Sequence, residues 1–200
     1  MTGPLRVLSI ATLFPDAARP NFGLFVEKSL RALAAQPGID LTVVAPVGLP
    51  PFPFSLHKRY RALRSLPRSE QWNGLSVLRP RFTLIPRYGA RRNPAKVARA
   101  VLSAVQGQKF DVADAQFFYP DAPAAMQVAE ALGIPFSAKA RGADISHFGH
   151  DPATRSQVIS TSLSKCELRN TVVPRLRRSR MISRTSRRPT GSRPEVGSSR

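Results

Sequence analysis

Cysteine, acidic residues and long apolar runs are all scarce in this sequence of 200 residues. The single cysteine, Cys166, excludes an internal disulfide, which suits a reducing compartment. No stretch reaches the roughly 18 apolar residues that a membrane span needs. The short apolar run Val7–Phe14 lacks the cationic start and the cleavage site of a signal peptide, so we predict a buried strand there and a cytoplasmic location.

Several catalytic motifs are also missing. The sequence has no Ser nucleophile elbow, no Walker phosphate loop and no Cys-x-x-Cys pair. His147 and His150 have His-x-x-His spacing near Asp144 and Asp151, but no third ligand can be assigned to them. We therefore expect no metal site, and no residue is marked as catalytic by its motif.

The few acidic residues leave a formal charge of +19, from 31 Lys and Arg against 12 Asp and Glu. Residues 151–200 hold 12 of these basic residues and three of the acidic ones, so nearly half of the excess lies in the last quarter. Residues 158–200 contain no aromatic residue and are rich in Arg and Ser. Such a segment cannot bury enough surface to offset its ordering entropy. We predict a folded domain at 1–157 and a disordered basic tail at 158–200.

What the first part does contain is an alternation of apolar runs and helical patterns. Buried strands are predicted at Leu5–Ala11, Ile39–Ala45, Phe110–Phe118 and Ile134–Ala138. Helices are predicted between them, with apolar residues on one face: Leu24–Gln36, a segment capped by Asn93 that ends at Gly107, and a segment capped by Asp121 that runs to Leu132. This order predicts an α/β fold with an open, mostly parallel, Rossmann-like sheet and flanking helices.

The segment Pro46–Arg92 interrupts this order. Its first prolines, at 46, 50, 51 and 53, are expected to exclude regular structure, and short strands are predicted at Leu75–Leu78 and Phe82–Ile85. A short helix at Leu56–Leu66 would place apolar residues on one side with cations around them. This predicted membrane patch comprises Leu56, Lys58, Arg59, Tyr60, Arg61, Leu63 and Arg64. It suits an anionic lipid surface, at about 1 kcal/mol per cation, and a solvated loop is the equal alternative.

Three loops are candidates for ligand binding, because open α/β sheets bind ligands at the carboxyl ends of their strands. The loop Asn21, Phe22 and Gly23 opens a helix, whose free N–H groups suit phosphate, although a simple turn has the same pattern. Tyr119 and Asp121 flank a proline and fit a turn with a helix cap. Arg141 and Asp144 suit a charged or hydroxylated ligand, or a surface ion pair.

Four motifs in this order resemble retaining GT-B glycosyltransferases of the family-4 type. They are Pro20-Asn21-Phe22-Gly23-Leu24-Phe25-Val26-Glu27, Val43-Val44-Ala45-Pro46, Tyr119-Pro120-Asp121 with Ala124-Ala125, and Arg141-Gly142-Ala143-Asp144-Ile145. The resemblance covers about residues 5–157. It is nearest to bacterial enzymes that build surface polysaccharides and teichuronic-acid-type polymers.

The resemblance implies two Rossmann-like domains facing across a cleft, with this one on the acceptor side. It implies hexosyl transfer from a nucleotide-sugar to a polysaccharide or lipid-linked acceptor, without a metal or a separate cofactor. The Asn21–Gly23 loop would approach the donor diphosphate, and the Tyr119–Asp121 and Arg141–Asp144 loops would line the cleft. Many relatives have His where this sequence has Arg141.

A full enzyme of this kind needs a second domain, so we interpret residues 158–200 as a frame-shift product and the chain as an N-terminal fragment that is inactive alone. Two other functions remain open. The arginine-rich tail would bind nucleic acid without specificity, since it has no aromatic residue for base stacking. The membrane patch would give peripheral contact with the inner face of a membrane.

Overall fold

A computed structural model describes residues 3–85, 92–142, 150–152, 154–157 and 159–161. Within these ranges the chain forms a six-stranded sheet with helices on both faces, and a separate pair of three-residue strands. The predicted α/β class and the mostly parallel sheet are therefore confirmed. Helical residues continue to Thr161, past the predicted domain boundary at residue 157. The remainder of the predicted tail, 162–200, lies outside the described residues.

The first βαβ unit follows the predicted order. Strand β1 (Leu5–Ile10) leads to helix α1 (Leu24–Ala34) and to strand β2 (Ile39–Val44), which pairs with β1 in parallel. The carboxyl-terminal parts of the two strands are buried except for the half-buried Thr42, and Val26 and Leu30 bring the apolar face of α1 onto them. The unit forms because its two apolar runs can each be covered on both faces only inside a layered sheet.

The large sheet has the order β4-β5-β2-β1-β7-β8. Its other parallel members are β5 (Leu75–Leu78), β7 (Val112–Ala115) and β8 (Phe136–Ala138). The edge strand β4 (Ser69–Trp72) was not predicted, and it pairs with β5 in an antiparallel hairpin. The hairpin turns at Asn73-Gly74, both with positive φ, which is the two-residue turn that joins antiparallel strands most readily.

Helices α3 (Asn93–Ala104) and α4 (Asp121–Leu132) cover the face opposite α1. Val97, Val101 and Val105 are buried as one stripe, as predicted. The predicted cap at Asn93 is wrong, because Asn93 is already helical and its side-chain oxygen has no hydrogen-bond partner among the described residues. Arg92, which precedes Asn93, takes the N-cap position, and its side chain forms no capping hydrogen bond.

The proline-rich segment is more regular than predicted. Strand β3 (Val47–Leu49) lies between the prolines and pairs in parallel with β6 (Arg81–Thr83). Two single 3₁₀ turns, Phe54–Leu56 and Lys58–Tyr60, precede the short helix α2 (Arg61–Ser65). The prolines do not prevent β3 because its ladder bonds use the amides of other residues, such as Val47, which donates to the carbonyl of Pro80 at 2.8 Å.

None of the helices in the described ranges combines the length and the apolar character of a membrane-spanning segment.

Candidate functional site at the carboxyl ends of the strands

The chain reverses its direction of travel across the sheet next to β1. From β1 it moves to β2 and β5 on one side, and it later returns to β7 and β8 on the other. In doubly wound sheets a crevice opens outside the carboxyl ends of the strands at this reversal, and ligands bind there. The segments that border it are 11–23 after β1, 116–120 after β7 and 139–142 after β8.

The first of these segments is a tightly bonded loop. Asp16, which is fully buried, accepts the backbone amides of Ala18 and Arg19, each at 2.9 Å, and pairs with the Arg19 guanidinium at 2.6 Å. The guanidinium carbon of Arg19 in turn lies 4.2 Å from the ring centre of Phe22. The predicted phosphate loop therefore has Asn21 exposed at its tip and Phe22 half-buried beneath a cation.

Gly23 ends this loop with a φ of 73°. A Cβ atom here would lie 2.5 Å from the carbonyl oxygen of Leu13 and 3.1 Å from the amide nitrogen of Phe14. The space that a side chain would need is thus occupied by the chain itself. The glycine permits the close approach of α1 to the end of β1, which accounts for it without a ligand.

The beginning of α1 leaves two amides open. The Gly23 carbonyl accepts the amides of Val26 at 2.9 Å and Glu27 at 3.2 Å, whereas the amides of Leu24 and Phe25 have no acceptor among the described residues. The side chains of Leu24 and Phe25 are exposed, the latter at 48%. These two amides and the positive end of the helix dipole form a surface that favours an anion.

Arg141, from the segment after β8, lies at this helix end. Its guanidinium carbon is 4.8 Å from the ring centre of Phe25 and 5.6 Å from that of Phe117, which follows β7. The two rings meet edge to face, with centres 5.8 Å apart. Arg141 is held by Gln116, whose backbone carbonyl accepts Nε at 2.9 Å and whose side-chain oxygen accepts Nη2 at 3.3 Å. The structure therefore brings the segments after β7 and β8 to the start of α1.

A buried polar network beneath Arg141 was missed by the sequence analysis. Gln116 donates to the Ser9 hydroxyl at 2.9 Å and to the Asp114 carboxylate at 2.6 Å. The same carboxylate accepts the Ser137 hydroxyl at 2.6 Å and pairs with the ammonium of Lys139. The network holds Gln116 in place, and through it Arg141. The sequence did hold an indication of this network, because Asp114 and Gln116, two positions apart, interrupt the apolar run FDVADAQFF.

The predicted cleft residues Tyr119 and Asp121 are both buried. Burial, and secondarily the charge of Asp151, raises the pKa of Tyr119 to about 12, so its phenol stays neutral at physiological pH. The predicted cap at Asp121 is wrong, since Asp121 is the first helical residue and its two carboxylate oxygens each lie 3.2 Å from the Thr12 amide, which donates to them. Asp121 therefore tethers the loop after β1 to α4.

Some of the residues singled out in the sequence cannot be placed. Asp144 and His147 fall in 143–149, outside the described residues. Within the described ranges no group of three or more His, Cys, Asp or Glu side chains is arranged to hold a metal ion.

The predicted membrane patch lies elsewhere, in the segment between β3 and β4. Leu56, Lys58, Arg59 and Arg61 are exposed, whereas Tyr60, Leu63 and Arg64 are half-buried. The predicted single apolar side does not form, because the two 3₁₀ turns change the angle between successive residues relative to an α-helix.

Comparison with known proteins adds no family. No protein-family model matches this sequence, and no curated protein matches it either.

Proposed function

We propose that residues 5–157 form the acceptor-side half of a retaining GT-B glycosyltransferase. The reaction is hexosyl transfer from a nucleotide-sugar to a polysaccharide or lipid-linked acceptor. The observation that carries the proposal is the position of Arg141, over Phe25 at the start of α1 and over Phe117 after β7. The segments after β7 and β8 thereby meet the start of α1 at the reversal point of the sheet, where this fold class binds nucleotide-containing ligands.

The described groups suit the departure of a diphosphate. Breaking the bond between the sugar and the diphosphate leaves negative charge on the phosphate oxygens. The amides of Leu24 and Phe25, which have no acceptor among the described residues, lie at the positive end of α1, and the Arg141 guanidinium stacks on the Phe25 ring at that helix end. Preorganised donors of this kind stabilise developing charge because they need no reorganisation during the reaction.

This wall of the cleft is expected to bind weakly by itself. In the GT-B arrangement a second Rossmann-like domain holds most of the nucleotide-sugar and faces the first. Without that second wall the donor is not held against an acceptor, and the rate gain from proximity is lost. We therefore expect weak binding of a nucleotide-sugar and no turnover from residues 5–157 alone.

Chemical-shift mapping on the full ¹⁵N-labelled chain tests the proposal. Added UDP- or GDP-hexose is expected to shift the amides of Leu24 and Phe25, and Arg141→Ala is expected to reduce those shifts. Arg99→Ala is the matched control, because Arg99 is exposed on α3, on the other face of the sheet.

A dinucleotide serves as the competing ligand. If NAD bound more tightly than the nucleotide-sugars, or if the shifts fell away from the start of α1, the glycosyltransferase proposal would be refuted. Equal shifts from inorganic phosphate at the same concentration would also refute it, because the sugar and nucleoside would then contribute nothing.

A further inference from the structure

The side chains of two phenylalanines and one leucine are exposed in the segment between β3 and α2. Phe52 is 78% exposed, Phe54 is 69% exposed and Leu56 is 56% exposed. These are the largest exposed fractions among the large apolar residues that the structure describes. Single exposed apolar residues are ordinary on protein surfaces, but three such residues within five positions, each more than half exposed, indicate an interaction site.

The patch is followed directly by positive charge. Lys58, Arg59 and Arg61 are exposed, and none of them forms an ion pair with another described residue. The sequence contains no acidic residue between Asp40 and Glu70. Nothing within this stretch therefore neutralises the three cations.

Arg81 lies at the base of the segment, near Arg64 and Arg68. Burial, and then the charges of Arg68 and Arg64, lowers the pKa of Arg81 below its ordinary value. The guanidinium of Arg81 donates hydrogen bonds to the backbone carbonyls of Arg64 and Leu66. Arg81 therefore anchors the end of α2 and Leu66 to β6.

The segment is held firmly enough to present these side chains. Besides the Arg81 anchor, Leu66 is buried, and the His57 imidazole accepts the Arg59 amide at 3.2 Å. Phe54, His57, Tyr60 and Ile85 line a groove of about 400 Å³ at the foot of the patch. The exposed apolar groups are therefore mounted on an ordered support.

We propose that Phe52, Phe54 and Leu56 insert into the interface of an anionic lipid bilayer while Lys58, Arg59 and Arg61 contact its phosphates. Apolar groups beside a cationic row match such a surface, where the acyl region takes the rings and the headgroups take the charges. A second copy of this chain fits less well, because it would bring the same unneutralised cations against the first.

Vesicle co-sedimentation of the full chain tests the surface charge. Vesicles contain either phosphatidylcholine alone or phosphatidylcholine with phosphatidylglycerol. Neutralising Lys58, Arg59 and Arg61 to Ala is expected to weaken partitioning to the anionic vesicles about hundredfold, which is about fivefold per cation. The control variant neutralises three exposed cations elsewhere, Lys28, Arg99 and Lys109. It removes the same net charge and leaves the basic residues 162–200 unchanged.

The apolar part has its own variant. Replacing Phe52 and Phe54 by Ser is expected to weaken partitioning on the order of a hundredfold, about tenfold for each ring. Leu132→Ser is the control, since Leu132 is an exposed apolar residue at the end of α4. Because these positions are exposed, circular dichroism is expected to show unchanged folding in every variant.

Insertion depth separates this surface from simple electrostatic adsorption. The fluorescence of the Trp in Phe54→Trp is expected to be strongly quenched by brominated acyl chains. Leu132→Trp is expected to show no quenching beyond that of the native chain, whose Trp72 is the reference. Unchanged binding of the Phe52/Phe54 variant, or equal quenching of both Trp variants, would overturn the proposal. The proposal would also be overturned if the Phe52/Phe54 variant lost a dimer that the native chain forms in sedimentation equilibrium but kept its lipid binding. The patch would then join two copies of the chain.

Discussion

Replacing Gly23 by Ala is expected to destabilise the fold through two separable costs. The first is conformational, because Gly23 has a φ of 73° and a left-handed backbone costs an L-residue about 1–2 kcal/mol. The second is steric, because the new Cβ would lie 2.5 Å from the Leu13 carbonyl oxygen. The obstacle is backbone, which cannot rotate away like a side chain, so we add about 1–3 kcal/mol for the displacement.

Gly133→Ala isolates the steric part. Gly133 has a φ of 66°, similar to that of Gly23, but no heavy atom lies within 4 Å of its ideal Cβ position. Both substitutions also remove unfolded-state entropy to the same extent, so this contribution cancels in the comparison. The free energy of unfolding is therefore expected to fall by about 2–5 kcal/mol for Gly23→Ala and by about 1–2 kcal/mol for Gly133→Ala.

Urea unfolding followed by far-ultraviolet circular dichroism measures both values. The m-values are expected to remain equal, because neither substitution changes the surface that unfolding exposes. If the two variants lost equal stability, the contact between α1 and the end of β1 would not be the reason that this position requires glycine.

Three further predictions concern ionisable side chains. Arg79→Ala leaves the partly buried Glu70 carboxylate without the guanidinium that pairs with it. The substitution is therefore expected to lower the free energy of unfolding by about 3 kcal/mol. A loss below about 1 kcal/mol in urea unfolding would contradict this. The hydrogen bond from Arg6 holds the pKa of Asp111 near 2, below its ordinary 3.8, so the stability that the pair contributes is complete above about pH 4 and is lost as the pH falls towards 2. The melting temperature of Asp111→Asn is accordingly expected to vary less than that of the native chain between pH 4 and 2, and parallel curves would refute this account. Since the pKa of Tyr119 is raised to about 12, the folded chain is expected to lose stability as the pH rises from 10 towards 12. Tyr119→Phe is expected to remove that loss, together with the late step in tyrosinate absorbance at 295 nm. If the late step persisted in this variant, it would belong to another tyrosine.

Local patterns sufficed for the layered part of the fold. A strand buried on both faces must be apolar along its length, so the runs at Leu5–Ala11 and Ile39–Ala45 were readable directly, and β1 and β2 end one residue earlier than predicted. The stripe Val97, Val101 and Val105 was readable from its helical spacing, because one face of α3 is buried.

Elements that depend on pairing at a distance were not readable. Strand β4 lies at the edge of the sheet, where one side meets solvent, so its sequence carries no apolar run and only the Asn73-Gly74 turn marks it. Strands β3 and β6 are three residues each, and each is extended because the other is beside it. Asp121 illustrates the same limit for a side chain, because a carboxylate at the start of a helix looks alike in sequence whether it caps that helix or reaches the Thr12 amide.

The sequence by itself determined the class of the fold, the position of the central βαβ unit and the three segments that could border a crevice. Only the tertiary structure decided that Arg141 lies over Phe25 and Phe117, that Asp114 and Gln116 form a buried network, and that Phe52 and Phe54 are exposed. The physical reason is one of range. Periodicity records which face of an element is buried, whereas contacts between distant segments depend on how the whole chain packs, and no local pattern encodes them.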